Sequence, residues 1–196
     1  SNFRDDALFQ LGNTYSAQKD TKNAHIAYKK LFQNFPKSSY TARALLRDGL
    51  LFYNDNKNVK ALKNYQESLL ISESIYGKGT PEYAFALSNL GTMYLSLGDN
   101  SKAIELIEEG AKLTDSIFGE NNFTSAKQNQ LIAAVYFQMG DYQKSLKLNL
   151  SALASNENKL GKEHPEYAIG LSLVARDYFK LGNFKIGINL LNESVR

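Results

Sequence analysis

Gly161-Lys162-Glu163-His164-Pro165-Glu166-Tyr167-Ala168 and Gly77-Lys78-Gly79-Thr80-Pro81-Glu82-Tyr83-Ala84 agree at six of eight positions, and the chain around them repeats in step. From Gly77 onward the period is 42 residues: Gly77, Gly119 and Gly161 correspond, as do Gly98, Gly140 and Gly182. The aromatics Tyr94, Tyr136 and Tyr178 and the small residues Gly91, Ala133 and Ala175 keep the same step. Upstream, Gly12, Tyr15, Ala24 and Tyr28 return 37 residues later as Gly49, Phe52, Ala61 and Tyr65, and Gly49 lies 42 before Gly91. A fixed period of this length marks stacked supersecondary units that bury one another's apolar faces. The spacing predicts five units, over 4–36, 40–76, 81–118, 123–160 and 165–196, forming a single array. The opening Ser1-Asn2-Phe3 lacks a methionine or a signal-like segment, which suggests a portion of a longer protein.

Each unit reads as two antiparallel helices. In the third, Thr80 offers an N-cap hydroxyl, Pro81 suits the first helical turn and Glu82 complements the helix dipole. Ala84, Leu87, Leu90, Gly91, Tyr94 and Leu97 then recur at steps of three and four, which makes one apolar stripe on helix A. Gly98 and Asp99 close that helix and cap the next, and helix B turns Ala103, Ile104, Ile107 and Ile117 inward before Gly119. His164-Pro165-Glu166 and Gly182-Asn183 repeat these roles in the last unit. Gly91 and Ala103 mark places where two helices must approach closely, with the next aromatic, Tyr94, expected to fill the space beside them.

Composition narrows the function classes. Hydrophobic residues make up 43% and charged residues 22% of the 196 positions, so the chain is expected to fold. The formal net charge of +3 comes from interspersed charges, which predicts no nucleic-acid partner. No apolar run is long enough to span a bilayer, so direct membrane insertion is not expected. With no cysteine there is no disulfide or thiolate zinc site, and the compartment stays open between cytoplasm and periplasm.

These residues resemble the tetratricopeptide repeat family. Leu8-x-x-Leu11-Gly12-x-x-Tyr15, then Ala24, Tyr28 and Phe35-Pro36, is similar to the short repeats of bacterial envelope proteins. The linker Gly161 to Ala168 resembles the Gly-x-x-His-Pro-x-x-Ala of the longer repeats in kinesin light chains and bacterial signalling proteins. Gly77 to Ala84 follows it with Thr80 for histidine, whereas Gly119 to Ala126 departs at Asn122 and Phe123. The resemblance implies an all-α, right-handed superhelical solenoid whose A helices line a concave, peptide-binding groove.

Carried over by frame, the groove residues of the first two units are Phe9 and Asn13, then Arg43, Leu46, Arg47, Leu50 and Tyr53. The third contributes Phe85, Ser88, Asn89, Thr92 and Leu95. The fourth adds Lys127, Gln130, Ala134, Phe137 and Gln138, and the fifth Ile169, Ser172, Arg176, Phe179 and Lys180. Such a mixture of aromatic anchors, amides and cations suits a peptide. The co-chaperone carboxylate clamp is not expected, because Phe9, Arg47 and Phe85 stand where its lysine and asparagine set belongs. Arg43, Arg47, Arg176 and Lys180 still favour acidic ligands.

Candidate catalysts are scarce. His164 reads as a cap, and His25 has no second histidine one turn away to make a metal site. Gly77-Lys78-Gly79 follows a helix and lacks the Gly-Lys-Ser/Thr ending of a phosphate loop. Glu108-Glu109 fits a solvated face, and three Asn-x-Ser/Thr triplets, at Asn122, Asn149 and Asn192, fit chance. The expectation is therefore a non-enzymatic scaffold with no cofactor or metal, binding a peptide or partner protein in the groove. Two alternatives remain: a sensory or regulatory segment of a larger signalling protein, and a structural subunit. The latter would form a homo-oligomer through the last helix, which carries Ile186, Ile188, Leu190, Leu191 and Val195.

Overall fold

The computed structural model describes residues 3–119 and 123–195, apart from the side chains of Phe123 and Thr124. Among the described residues every regular element is an α-helix. They fall into two compact units, Ser1–Leu97 and Gly98–Arg196. The first holds α1 (Arg4–Ala17), α2 (Thr21–Asn34), α3 (Ser39–Asn54), α4 (Asn58–Tyr76) and α5 (Pro81–Ser96). The second holds α6 (Asn100–Phe118), α7 (Phe123–Gln138), α8 (Tyr142–Leu160), α9 (Pro165–Lys180) and α10 (Phe184–Ser194). Odd-numbered helices are the A helices of the repeat and even-numbered ones the B helices.

Local chemistry sets the helix ends. The carboxylates of Asp20, Asp99 and Asp141 accept from the backbone N–H three residues on, at 3.1, 3.2 and 3.1 Å. Thr80 and His164 cap α5 and α9 as their proline-glutamate followers imply. Asn183, by contrast, makes no side-chain cap bond, so α10 begins without one. Gly98, Gly140 and Gly182 have φ of 81–83°, the left-handed region that glycine enters without a Cβ penalty. In the first unit the same turn position is held by Lys19 (φ 60°) and Asn56 (φ 59°).

The first unit's core is built on α2. Ala24, Tyr28 and Leu31 are fully buried and pack with Phe9, Ala44 and Leu51. Phe9, expected in the groove, is only 7% exposed and sits in this core, 5.3 Å by ring centroid from Tyr40. Its position on α1 faces α2 and α3 together, so a large apolar ring there is drawn inward. Close approach at small residues is seen in the first two hairpins. A Cβ on Gly12 would fall 2.3 Å from the ring of Tyr28, and one on Gly49 3.2 Å from Tyr65. In these two hairpins the ring filling the space beside the glycine thus comes from helix B, not from the next aromatic on helix A.

Two buried carboxylates cross-link helices. Asp48 of α3, 5% exposed, accepts from Nδ1–H of His25 on α2 at 2.5 Å and from the amide of Asn64 on α4 at 2.8 Å. Burial pushes the Asp48 carboxyl above its usual value, and the His25 and Asn64 bonds offset part of that rise. In the second unit Asp177 of α9, fully buried, accepts from Ser145 at 2.9 Å and Asn149 at 2.6 Å, both on α8. These bonds satisfy most of what burial of a carboxylate demands.

Candidate functional site

In the first unit a cavity of about 260 Å³ opens between α3 and α5. Leu46, Leu50 and Tyr53 come from α3, and Asn89, Thr92 and Met93 from α5. Tyr65 reaches the cavity from α4, and burial raises the pKa of its phenol. Most of this lining is apolar, with Asn89, Thr92 and Ser96 following one another at helical spacing along α5. Arg47 and Leu50 also line a second cavity of about 230 Å³ on the other side of α3, which Ser16, Lys19 and Thr21 close from the first hairpin. The pair therefore forms a ridge between two recesses.

Six of the sequence-derived groove residues, Leu46, Arg47, Leu50, Tyr53, Asn89 and Thr92, are thus brought around one cavity. The Asn89 amide donates to the carbonyl of Phe85 at 2.7 Å, one turn back on its own helix, while Phe85 itself is 44% exposed. Arg43 reaches Glu82 of α5 at 3.5 Å, so its charge is largely answered within the unit. Arg47 lies 5.8 Å above the ring of Phe9. Among the described residues, no carboxylate lies within ion-pair range of Arg47 or Lys19.

The second unit treats its residues differently. The guanidinium of Arg176 lies 3.8 Å over the ring of Phe137, which also meets Tyr142 edge-on at 5.2 Å. Arg176 further bonds Asp177 at 3.3 Å, so both Phe137 and Arg176 are occupied by partners of their own. Phe179 leans on α10, 6.3 Å from Phe184 and against Gly187, where a Cβ would meet its ring at 2.7 Å. Gln130 is half-buried, whereas Lys127, Ile169 and Lys180 are exposed.

The sequence reading missed Asp48 and Asp177, although each is an acid set in an apolar run, Leu45-Leu46-Arg47-Asp48-Gly49-Leu50-Leu51 and Leu173-Val174-Ala175-Arg176-Asp177-Tyr178-Phe179, a signal that could have marked them as buried and partnered. Asn149 completes the Asp177 network and is 1% exposed, which closes its Asn-Leu-Ser triplet to glycosylation in the folded unit. The Asn122 triplet lies outside the described residues. Among the described residues no cluster of acids and histidines has the makings of a metal site. Likewise none of the helices is long and apolar enough to cross a membrane.

Sequence profiles of the tetratricopeptide repeat match residues 40–116 and 123–196, and another profile of the same description matches 6–38. The chain belongs to the tetratricopeptide repeat family. Its fold is accordingly an all-α helical-repeat solenoid, the kind on which protein–protein interaction scaffolds are generally built without enzymatic chemistry. Comparison with curated proteins finds no match. Among solved structures, BtubC from P. vanneervenii is similar with a TM-score of 0.83 at 16% identity, over 95% of this chain and 76% of that one. A putative kinesin light chain from Podospora anserina with nearly identical repeats gives 0.81 at 14%, over 99% and 95%. The Rap conjugation gene regulator of plasmid pLS20, in complex with the Phr* peptide, gives 0.73 at 12%, over 96% and 51%. At these identities the likeness is one of fold.

Proposed function

We propose that this chain is a non-enzymatic scaffold that binds a peptide or a segment of a partner protein along its A helices, with the α3–α5 cavity as one anchoring site. The observation that carries this reading is a mostly apolar recess holding Arg47, Tyr53 and Asn89 at its edge. An apolar pocket with a few polar groups around it accepts a side chain and orients the backbone beside it. That the Rap regulator is a peptide complex on the same fold supports the reading by analogy only. Peptides selected from a displayed library on the parent chain should bind Leu50→Glu and Tyr53→Ala proteins about tenfold more weakly. Failure to enrich any peptide would overturn the reading, and unchanged binding to both variants would put the ligand elsewhere.

A second reading, assembly through α10, is favoured by one observation. Phe184, Ile188, Leu191 and Val195 recur at helical spacing and are 62, 53, 38 and 83% exposed. Sedimentation of the parent against Ile188→Glu, Leu191→Glu protein tests it: a monomeric parent removes this reading and leaves the peptide-binding one untouched.

A further inference from the structure

Lys19 stands where later repeats carry Gly98, Gly140 and Gly182, and it holds the left-handed backbone conformation, φ 60°, that those glycines adopt freely. For a residue with a Cβ that conformation is unfavourable, and such positions persist where a side chain has work to do. Lys19 lines the α1–α3 recess together with Arg47. No carboxylate among the described residues neutralises either cation, whereas Arg43 and Arg176 are matched with Glu82 and Asp177. On the far side of the ridge the α3–α5 recess presents Leu46, Leu50, Tyr53 and Met93. Arg47 and Leu50 thus border both recesses, and what distinguishes them is Lys19, a second cation, on the α1–α3 side against Leu46, Tyr53 and Met93 on the α3–α5 side.

Resting on the peptide-binding reading above, we infer that the ligand is a segment in which one acidic side chain docks between Lys19 and Arg47 while a large apolar side chain fills the α3–α5 recess. The chain crosses α3 at Leu50, which lines both recesses. A helix is about 10 Å across and an extended peptide advances about 3.3 Å per residue. The acid and the apolar anchor therefore stand about three residues apart. The apolar recess, at about 260 Å³, has room for one aromatic or leucine side chain and not for a folded element.

The test uses short fluorescent peptides in a serine-glycine background. Each carries one glutamate and one phenylalanine at a graded separation, in either order, and binding to the whole chain is followed by anisotropy at low salt. Binding is expected to be tightest near a separation of three. Replacing the peptide glutamate by glutamine should weaken it about tenfold on the parent and scarcely at all on Lys19→Glu or Arg47→Gln protein. Lys19→Glu is the cleaner variant, because Arg47 also covers Phe9. Lys63→Glu on the exposed side of α4 should bind like the parent, and equal loss there would reduce the effect to general charge attraction and overturn the inference. Peptides that depend on Leu50 and Tyr53 but ignore the glutamate, Lys19 and Arg47 would overturn the inference and leave the scaffold reading standing. If no peptide binds at any separation, the inference falls, and the displayed-library selection decides the scaffold reading on its own.

Discussion

Nδ1 of His25 lies 2.5 Å from Oδ1 of Asp48, and with Asn64 on the other carboxylate oxygen this one side chain ties α2, α3 and α4 together. Removing the carboxyl altogether should be expensive. Asp48→Ala leaves the His25 and Asn64 donors without their acceptor, and a loss of about 1–3 kcal/mol is expected in urea unfolding. A variant as stable as the parent would mean that the network contributes nothing.

The pH response of the same residue has a definite sign. The folded-state pKa of Asp48 is raised above 3.8, with burial the largest cause. Its contribution is therefore fully present below the ordinary aspartate value and is lost as pH rises through the raised one. Asp48→Asn does not titrate, and its amide can still accept from Asn64. It is expected to gain on the parent as pH climbs across that window. Unfolding of both proteins through the acid range checks this, and a parent that gains instead would reverse the assignment.

Close packing predicts an order among glycine substitutions. Gly12→Ala drives a methyl to 2.3 Å from a ring, that of Tyr28, which is wholly enclosed, whereas Gly49→Ala meets Tyr65 at 3.2 Å. The first should destabilise by about 1–3 kcal/mol despite the better helix propensity of alanine. The second should lose less, because a few tenths of an ångström of yielding relieve it. Chemical denaturation giving the opposite order would contradict the Tyr28 contact.

Lys19→Gly should raise stability by about 1 kcal/mol, because glycine removes the Cβ conflict of the left-handed turn. Asn56→Gly should gain less, since asparagine tolerates that conformation better. If Lys19 also docks an acidic side chain, Lys19→Gly protein is more stable and yet a weaker binder of acidic peptides. Unchanged stability would show that the turn carries no strain.

In the second unit, Asp177→Ala should be among the most damaging single changes. It strands Ser145, Asn149 and the Arg176 guanidinium in or beside the core, at a loss of about 3–5 kcal/mol. Tyr136→Ala should lose about 1–2 kcal/mol, less than a full core cavity, because Tyr136 is only half-buried with the Lys144 ammonium 5.0 Å from its ring. Thermal melts that rank Tyr136→Ala as the worse of the two would overturn this ordering.

Much of the fold was legible before any coordinates. The 42-residue period, the Thr80-Pro81-Glu82 and His164-Pro165-Glu166 starts and the glycines at the turns all act within a few residues of themselves. Capping, dipole complementarity and left-handed φ are local interactions, so the string of residues suffices to read them. The exceptions are instructive: Lys19 and Asn56 adopt the glycine conformation without the glycine signal, and Asn183 has the capping residue without the cap bond.

What a side chain on helix A meets depends instead on which other helix lies across from it, and only the tertiary structure decided that. The frame placed Phe9, Arg43, Arg47, Phe137 and Arg176 on one presumed surface. Packing then buried Phe9, matched Arg43 with Glu82, laid Arg176 over Phe137 and, among the described residues, left Arg47 without a carboxylate. Burial and charge pairing arise between residues distant in the chain, and a repeat period specifies position along a helix without specifying what fills the space opposite. The sequence by itself determined a stack of capped helical hairpins; the three-dimensional packing determined which of their cations and apolar side chains remain free to meet a ligand.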